Sequence, residues 1–198
     1  MNKSQLTNFI TKYTLGGEIK STKWTSNGTS LSTRFISGDK SVVGKVVLSK
    51  FSHLSPCELG VYNTGQLSSL LSVLGDDVEL NLSQSGDKFI SMEFEDSKRK
   101  TKSKYMLSDL SVIPTPPALK NLPDSFELGI KVDPYFINTF TSGKSALAEA
   151  ETFTILTEGG ETKIVIGYAS IASNRVTIPV ETTKSADIEP ISFNANMF

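Results

Sequence analysis

The stretch that decides the fold is Tyr62–Asp87, YNTGQLSSLLSVLGDDVELNLSQSGD, because its hydrophobic period changes in the middle. Leucines in the first half recur at the i, i+3, i+4 and i+7 positions of one helix face, namely Leu67, Leu70, Leu71 and Leu74. Gly75 is the type of residue that ends a helix as a C-cap. Val78, Leu80 and Leu82 then alternate with polar residues, the period of a half-buried strand. The sequence predicts a short helix that leads directly into an antiparallel-type strand.

The opposite face of this predicted helix carries small, polar, uncharged residues, where surface helices usually carry Lys and Glu. They are Gln66, Ser68, Ser69 and Ser72. Two interpretations remain open from the residues alone. The face simply meets water, or it meets a partner that it must not bind tightly.

Composition excludes several classes of protein. The 198 residues contain 20 basic and 21 acidic side chains, one histidine and one cysteine. The net charge of -1 argues against an overall basic surface for nucleic acid, although Lys98–Lys104 holds five positive charges in seven residues. The single Cys57 excludes an internal disulfide and a thiolate zinc cluster, and it favours a reducing cytoplasm. No apolar run is long enough for a membrane helix, and the N-terminus lacks a signal-peptide core.

Two further helices are predicted, over Ser4–Tyr13 and from an Asp133-Pro134 N-terminus to about Gly143. Most other segments have the pattern of strands, with a hairpin signal at Asn27-Gly28. The predicted strands are Ile19–Thr25, Thr29–Phe35, Val42–Phe51, Cys57–Tyr62, Val78–Ser83, Phe89–Phe94, Lys102–Leu110, Phe126–Val132, Glu151–Leu156, Thr162–Ala172, Arg175–Val180 and Ile188–Phe193.

A proline-rich segment divides the chain. Val112–Pro123 holds four of the eight prolines, which makes it stiff, extended and poorly suited to a sheet. We therefore expect an N-terminal domain at 1–111, a connector at 112–124 and a C-terminal domain at 125–198. Both predicted domains contain a helix of about ten residues followed by hairpin-linked strands.

No catalytic constellation is found in the sequence. The only histidine, His53, lacks a neighbouring nucleophile signature. Ser142–Ser145 resembles the end of a phosphate-binding loop, but Asn138 stands where that motif needs its first glycine. Asp76-Asp77 has no further ligands at metal spacing and is more typical of a turn. We expect neither enzymatic activity, nor a cofactor, nor a bound metal.

The order of these elements resembles the DNA polymerase sliding clamps, most closely those of tailed phages and more distantly proliferating cell nuclear antigen. Tyr62–Asp77 with Val78–Ser85 is similar to the second helix and following strand of that family. Tyr105–Asp109 resembles its last N-domain strand, Asp133–Phe136 the start of its third helix, and Asn194–Met197 the start of its fourth. The resemblance implies an α+β fold of two clamp-type domains, each with an antiparallel sheet outside and short helices packed on one face.

It also implies a ring, by analogy a homotrimer, that encircles duplex DNA without reading its sequence and tethers a replicative DNA polymerase as a processivity factor. An ATP-dependent loader would open the ring, and the site of action would be cytoplasmic, in the host cell if the protein is viral. No membrane partner is expected. A neutral polar lining with few lysines suits such a role, because strong phosphate contacts would resist sliding.

Three sets of residues follow from the resemblance. The expected DNA-facing residues are Lys3, Lys12, Lys20, Lys144, Ser4, Asn8, Ser68 and Ser72. The expected subunit interface pairs Lys102–Asp109 with Arg175–Thr182 of the next subunit, with Pro179 turned away from the partner strand, and its residues are Lys102, Lys104, Arg175, Thr177 and Glu181. The expected pocket for partner peptides comprises Val43, Met106, Leu110, Val112 and Ile113. Solvated lysines and ordinary core packing are the competing interpretations.

One departure from the family concerns the end of the chain, since Phe198 falls about where the fourth helix would begin. The expectation is a truncated sequence or a shortened second domain. Two other functions remain open. The chain could be a structural β-rich viral assembly protein with no DNA role, or a small hydrolase whose site has no recognisable motif.

Overall fold

The structure is a computed structural model that describes residues 1–118, 124–169, 171, 173–184 and 186–195. It is an α+β fold of antiparallel sheets and a few short helices. The chain divides into two compact units, Met1–Leu119 and Lys120–Phe198. The division lies inside the proline-rich segment. No helix in the described ranges combines the length and the apolar character that a membrane crossing requires.

The first unit consists of two helices and two sheets. Its elements are α1 (Lys3–Thr14), β1 (Thr22–Ser26), β2 (Ser30–Ile36), β3 (Val43–Ser49), β4 (Cys57–Val61), α2 (Thr64–Ser72), β5 (Val78–Ser85), β6 (Lys88–Asp96) and β7 (Lys102–Met106). One sheet has the order β3-β2-β1-β4 and the other the order β5-β6-β7. A single antiparallel bridge joins the sheets, in which the N–H of Ser108 donates to the carbonyl of Gly60 at 2.9 Å.

Local signals explain these elements. The side chain of Asn2 accepts from the N–H of Ser4 at 2.8 Å and caps α1, and Asn63 caps α2 in the same way through Gln66. Gly28 adopts a φ of 88° in the β1–β2 hairpin, as the sequence predicts for Asn27-Gly28. The helix-to-strand change in Tyr62–Asp87 is also confirmed.

The apolar stripe of α1 packs on β1 to form the core of the first unit. Phe9 meets Trp24 edge to face, with ring centroids 5.4 Å apart. Trp24 Nε1 donates to the hydroxyl of Tyr13 at 3.2 Å, and that hydroxyl lies 3.3 Å from Thr64 Oγ1 on α2. Burial raises the pKa of Tyr13 to about 12. This small network joins both helices to the sheet.

The second unit contains one helix among its described residues. Its elements are β8 (Gly129–Ile130), α3 (Pro134–Ala146), β9 (Thr152–Glu158), β10 (Glu161–Ile166), β11 (Val176–Pro179), β12 (Thr182–Lys184) and β13 (Ile191–Asn194). The main sheet has the order β11-β10-β9-β13, and β12 pairs with β8. Asp133 caps α3 through the N–H of Phe136 at 2.8 Å, and Pro134 occupies the first turn, as predicted.

The two units repeat one topology. In each, a helix is followed by a three-stranded meander, and a fourth strand pairs with the first strand of that meander. The order β3-β2-β1-β4 in the first unit therefore corresponds to β11-β10-β9-β13 in the second. The central aromatic contact also recurs, because Phe140 of α3 meets Phe153 of β9 edge to face at 5.1 Å, as Phe9 meets Trp24.

Two glycines have other roles than the helix ends expected of them. α2 ends at Ser72, and Gly75 lies beyond it without a positive φ. The N–H of Gly75 donates to the carboxylate of Asp96 at 2.7 Å, and a Cβ there would collide with that carboxylate. Gly143 lies inside α3, which continues to Ala146. A Cβ at Gly143 would be 3.1 Å from side-chain carbons of Ile166 and Val176, so its small size lets α3 approach the sheet.

Several strands are shorter than predicted because pairing partners set their length. β8 covers two residues of the predicted Phe126–Val132, since its partner β12 is itself short. β10 ends at Ile166, well before Ala172, and Gly167 has a φ of 79°. Asn194 belongs to β13, so it does not begin a fourth helix. Asn196 and Met197 of that predicted helix lie outside the described residues.

Candidate nucleic-acid interface

The helices present outer faces that are polar and free of acidic residues. The buried residues of α1 define one side, and Ser4, Asn8 and Thr11 lie exposed on the other, as predicted. None of the chain's 21 acidic residues lies within α1, α2 or α3, the three α-helices of the described ranges. The helices do contain Lys3, Lys12 and Lys144. Their combined formal charge is therefore +3 in a chain whose net charge is -1.

Seven hydroxyl groups of these helices donate back to their own backbone. On α2, Ser69 Oγ donates to the carbonyl of Gly65 at 3.0 Å, and Ser72 Oγ donates to that of Ser69 at 2.7 Å. The same arrangement occurs on the other helices, at Thr11, Thr14, Thr139, Thr141 and Ser145, with distances of 2.8–3.1 Å.

Such a surface offers few strong donors to a phosphate. A hydroxyl has one proton, and at these seven positions that proton is engaged within the helix, which leaves only oxygen lone pairs outward. Phosphate oxygens accept hydrogen bonds and cannot use those lone pairs. The outer faces of α1, α2 and α3 are therefore polar enough to be wet, lack repelling carboxylates and hold anions weakly.

Two of the four predicted DNA-facing lysines have their ammonium groups engaged within the chain. Lys3 is half-buried, and its Nζ donates to the carbonyl of Leu74 after the end of α2. Lys144 Nζ donates to the carbonyl of Ala148 at 2.8 Å, just beyond the end of α3. Cations at helix C-termini stabilise the carbonyl end of the helix dipole. These bonds give Lys3 and Lys144 a structural role.

The remaining two lysines are open to solvent. Lys12 lies in the last turn of α1 and Lys20 shortly before β1, both exposed, with no intrachain partner of either ammonium found among the described residues. The backbone carbonyl of Lys20 accepts from the N–H of Thr64 at 2.9 Å, which holds this loop against the start of α2. Ser72 is exposed, whereas Ser68 is half-buried beside that loop, so Ser69 is the better outward residue.

β7 is an edge strand with outward-facing backbone groups. Leu107 donates to Ile90 of β6 at 2.7 Å, and Asp96 donates to the carbonyl of Thr101 at 2.8 Å. Because alternate residues of an antiparallel strand bond the same neighbour, Lys102, Lys104 and Met106 direct their N–H and C=O groups away from β6. These are the groups that a further strand would pair with.

β11 is the corresponding edge in the second unit. The N–H of Val180 donates to the carbonyl of Thr162 at 3.1 Å in register with the β10–β11 ladder. Alternation then turns Thr177 and Pro179 towards the open edge. The expectation that Pro179 faces away from a partner strand on this edge is therefore wrong. Because Pro179 has no N–H, the open edge loses one donor. The groups that remain for pairing are the carbonyl of Pro179 and the N–H and C=O of Thr177.

Three of the four charged side chains of the predicted interface have partners within the chain, and the fourth, Arg175, lies exposed before β11. Lys104 lies 2.8 Å from Glu93 and Lys102 lies 3.0 Å from Glu95, both across the β6–β7 ladder. Glu181 pairs with Lys131 at 2.8 Å. A contact of Lys102 or Lys104 with Glu181 of another subunit would have to replace these pairs. They are exposed, so such replacement costs little.

The predicted peptide pocket is not assembled as expected. Val43 begins β3, which β2 and β1 separate from β4 in the sheet. Ile113 is buried near Gly60 of β4, whereas Met106 and Val112 are 57% and 59% exposed. Of the five residues, only Leu110 lines the groove of about 510 Å³ beside β4. Sequence order places Met106–Ile113 together, but the strand order that separates Val43 from them is not visible in the sequence.

The two residues considered for nucleophilic or acid-base chemistry, His53 and Cys57, each pack against the first unit. The imidazole of His53 packs edge to face on Phe51, with ring centroids 5.2 Å apart, and partial burial lowers its pKa. Burial raises the pKa of the Cys57 thiol in β4. Within the described ranges, no group of three or more histidine, cysteine, aspartate or glutamate side chains is placed to hold a metal ion.

Comparison with known proteins adds no relative. No protein-family model matches the chain, and no curated protein is significantly similar to it.

Proposed function

We propose that the chain is a DNA sliding clamp, a non-enzymatic processivity factor that encircles duplex DNA and tethers a replicative polymerase. The observation that carries this proposal is the charge and hydrogen-bond character of the three helices. They contain three lysines and no acid, and seven of their hydroxyl groups donate to carbonyls of their own helix. A channel for a sliding polyanion needs this combination, because carboxylates would repel DNA and many donors would hold it in place.

The repeated topology supports the same proposal. A ring of few subunits can be built from similar modules that each present helices on one side and sheet edges at their ends. In both units a helix precedes a three-stranded meander of the same strand order. Open edges exist at β7 of the first unit and at β11 of the second.

Ring closure in this proposal pairs β7 of one subunit with β11 of the next. Such a contact is heterologous, and it closes only when the rotation between subunits divides a full turn. A trimer would weigh about 65 kDa, three times the 21.5 kDa of one chain. β11 has few N–H donors on its open edge, because Pro179 has none. This favours a contact between subunits that a loader can open.

The test is retention on DNA of different topology. The protein is loaded, with a clamp loader and ATP, onto a nicked circular duplex, and the bound fraction is separated by gel filtration. The proposal expects retention on the circle, loss once the circle is cut by a restriction enzyme, and retention on linear DNA whose ends are blocked by bound protein. Retention that survives cutting with free ends would contradict encirclement.

The alternative of a structural assembly protein predicts a different behaviour. The same open edges could build a large β-linked array without DNA. Sedimentation velocity separates the two, since the clamp gives a discrete species near 65 kDa and the array a broad, heavy distribution. No residue geometry in the described ranges favours the hydrolase alternative.

A further inference from the structure

We propose that the cleft between β4 and the β6–β7 hairpin binds an extended peptide of a partner protein, one that alternates apolar and basic residues and adds a strand to β4. This site does not include the helices or the open edges of β7 and β11. It does not depend on the encirclement of DNA.

The cleft exists because the two sheets of the first unit are joined by a single bridge between backbone groups. Ser108 pairs with Gly60, and a Cβ at Gly60 would collide with the carbonyl of Ser108, so the glycine permits this approach. Beyond this bridge the sheets separate. A groove of about 510 Å³ opens there between β4 and the β6–β7 hairpin.

The register of the bridge shows where a new strand would pair. Gly60 directs its carbonyl to Ser108, so its neighbour on the same edge, Glu58, also directs its N–H and C=O away from β1. Continuing the antiparallel ladder from Gly60–Ser108 would place Leu110 opposite Glu58. The chain instead forms a 3-10 turn at Leu110–Val112, capped by Asp109, which leaves the backbone of Glu58 facing the cleft.

The lining specifies the chemistry of the occupant. Ile90, Leu107 and Leu110 supply an apolar surface, and Ile90 remains 38% exposed. The charged residues of the lining are Glu58, Asp87, Asp109 and Lys88, three acids and one base. Lys88 lies 2.6 Å from Asp109, and this contact holds the pKa of Asp109 well below its ordinary value. A segment with apolar side chains for the surface and Lys or Arg for the excess acid is complementary.

The test uses the full chain and a blocked, fluorescein-labelled Lys-Val-Lys-Val-Lys peptide. Binding is followed by fluorescence anisotropy and mapped by amide chemical shifts. The proposal expects the largest shifts at Glu58, Gly60 and Leu107, and slower hydrogen exchange at the amide of Glu58. A Lys-Val-Lys-Val-Lys peptide that is N-methylated on the backbone of the central lysine lacks that N–H but keeps the charge, and it should bind at least fivefold more weakly.

Matched variants separate a specific site from general charge attraction. Glu58→Lys should weaken binding at least fivefold, whereas Glu79→Lys, the same charge change on exposed β5, should leave it within twofold. Unchanged thermal unfolding of both variants verifies that they fold. Equal effects of the two substitutions, shifts centred elsewhere, or no binding at millimolar peptide would overturn the proposal. So would a change of oligomeric mass in Glu58→Lys, since the cleft would then hold a second copy.

Discussion

The hydroxyl of Tyr13 is the polar centre of the first core, and its loss should be measurable. It accepts from Trp24 Nε1 and contacts Thr64 Oγ1, and all three residues are buried. Tyr13→Phe leaves the indole N–H without its acceptor, which should lower the free energy of unfolding by about 1–3 kcal/mol. Urea unfolding measures the change. The control is Tyr62→Phe, a tyrosine 59% exposed, which should change stability by less than about 0.5 kcal/mol.

Asp96 should make stability depend on acid pH. Its carboxylate accepts from the N–H groups of Arg99, Lys98 and Gly75, and these bonds hold its pKa below the ordinary 3.8. A depressed pKa in the folded state contributes stability above the unfolded value, and that contribution is lost as pH falls through the folded value. Asp96→Asn should therefore be less stable than the wild type at pH 7, and the difference should shrink below about pH 4.

The measurement is urea unfolding of both proteins at a series of pH values from 7 down to 3. A difference that stays constant over this range would mean that the charge of Asp96 contributes nothing and that only the shape of the side chain matters. Glu93 and Glu95, whose pKa values are lowered by Lys104 and Lys102, also lose their ion pairs in this range. They are present in both proteins, so their effect cancels in the comparison.

At the scale of elements, the outer face of α2 should determine how DNA is held. Replacing Ser69 and Ser72 by lysine substitutes two flexible cations for two internally bonded hydroxyls. We expect tighter binding to linear DNA with free ends. The logarithm of the binding constant should also fall more steeply with the logarithm of the salt concentration, by the amount that about one to two additional phosphate contacts produce. The measurement is anisotropy of a labelled duplex over a range of salt concentrations.

The control places the same charges outside the helices, as Ser52→Lys with Ser55→Lys in the loop after β3. This variant has the same net charge, so it should show little of the change if the helix face is the DNA-facing surface. An equal gain in both variants would show that general charge, and not the face of α2, controls the binding.

The open edge of β11 should be required for assembly. Thr177 presents its N–H outward, so Thr177→Pro removes a donor without removing a bond within the chain. We expect sedimentation velocity to show the 21.5 kDa chain in place of a species near 65 kDa. Lys45→Pro is the matched control. Lys45 lies on edge strand β3. The N–H of Ser37 donates to the carbonyl of Val42 at 2.9 Å, so in the β2–β3 register the N–H of Lys45 also faces outward. Persistence of the trimer in Thr177→Pro would exclude this edge.

The helices were predictable because their signals are local. The predicted Ser4–Tyr13 differs from α1 by one residue at each end, since an apolar stripe and an Asn cap both lie within a few residues of the helix. Strand lengths depend on partners distant in sequence, which is why β8 covers only part of the predicted Phe126–Val132. Gly75 was misassigned because its partner, Asp96, is 21 residues away.

The residues of the candidate site were likewise predictable only where their placement depends on local sequence. The outward residues of α1 follow from its stripe, so Ser4 and Asn8 are placed as predicted. The engagement of Lys3 by the carbonyl of Leu74 depends on how α1 and α2 pack, and no local pattern reports it. The absence of acid from all three helices was present in the sequence, but it becomes visible only once the helix bounds are known.

At the scale of the whole molecule, the charge distribution argues that any hold on DNA is topological. Of the four lysines expected to face DNA, two donate to carbonyls of their own chain, which leaves Lys12 and Lys20 in each subunit. A protein that neutralises few phosphates loses its electrostatic affinity readily as salt rises. Direct binding to linear DNA should therefore be weak and disappear at moderate salt.

A ring closed around DNA is held by its subunit contacts, which in the proposed clamp are backbone hydrogen bonds between β7 and β11. We therefore expect a clamp already loaded on a closed circle to remain there at salt concentrations that abolish binding to linear DNA with free ends. Gel filtration of both complexes over a salt series tests this directly. The Lys12→Ala variant should bind linear DNA more weakly and yet, once loaded, remain on the circle as long as the wild type. Parallel loss from circle and linear DNA in the salt series would mean that charge, and not closure, retains the protein.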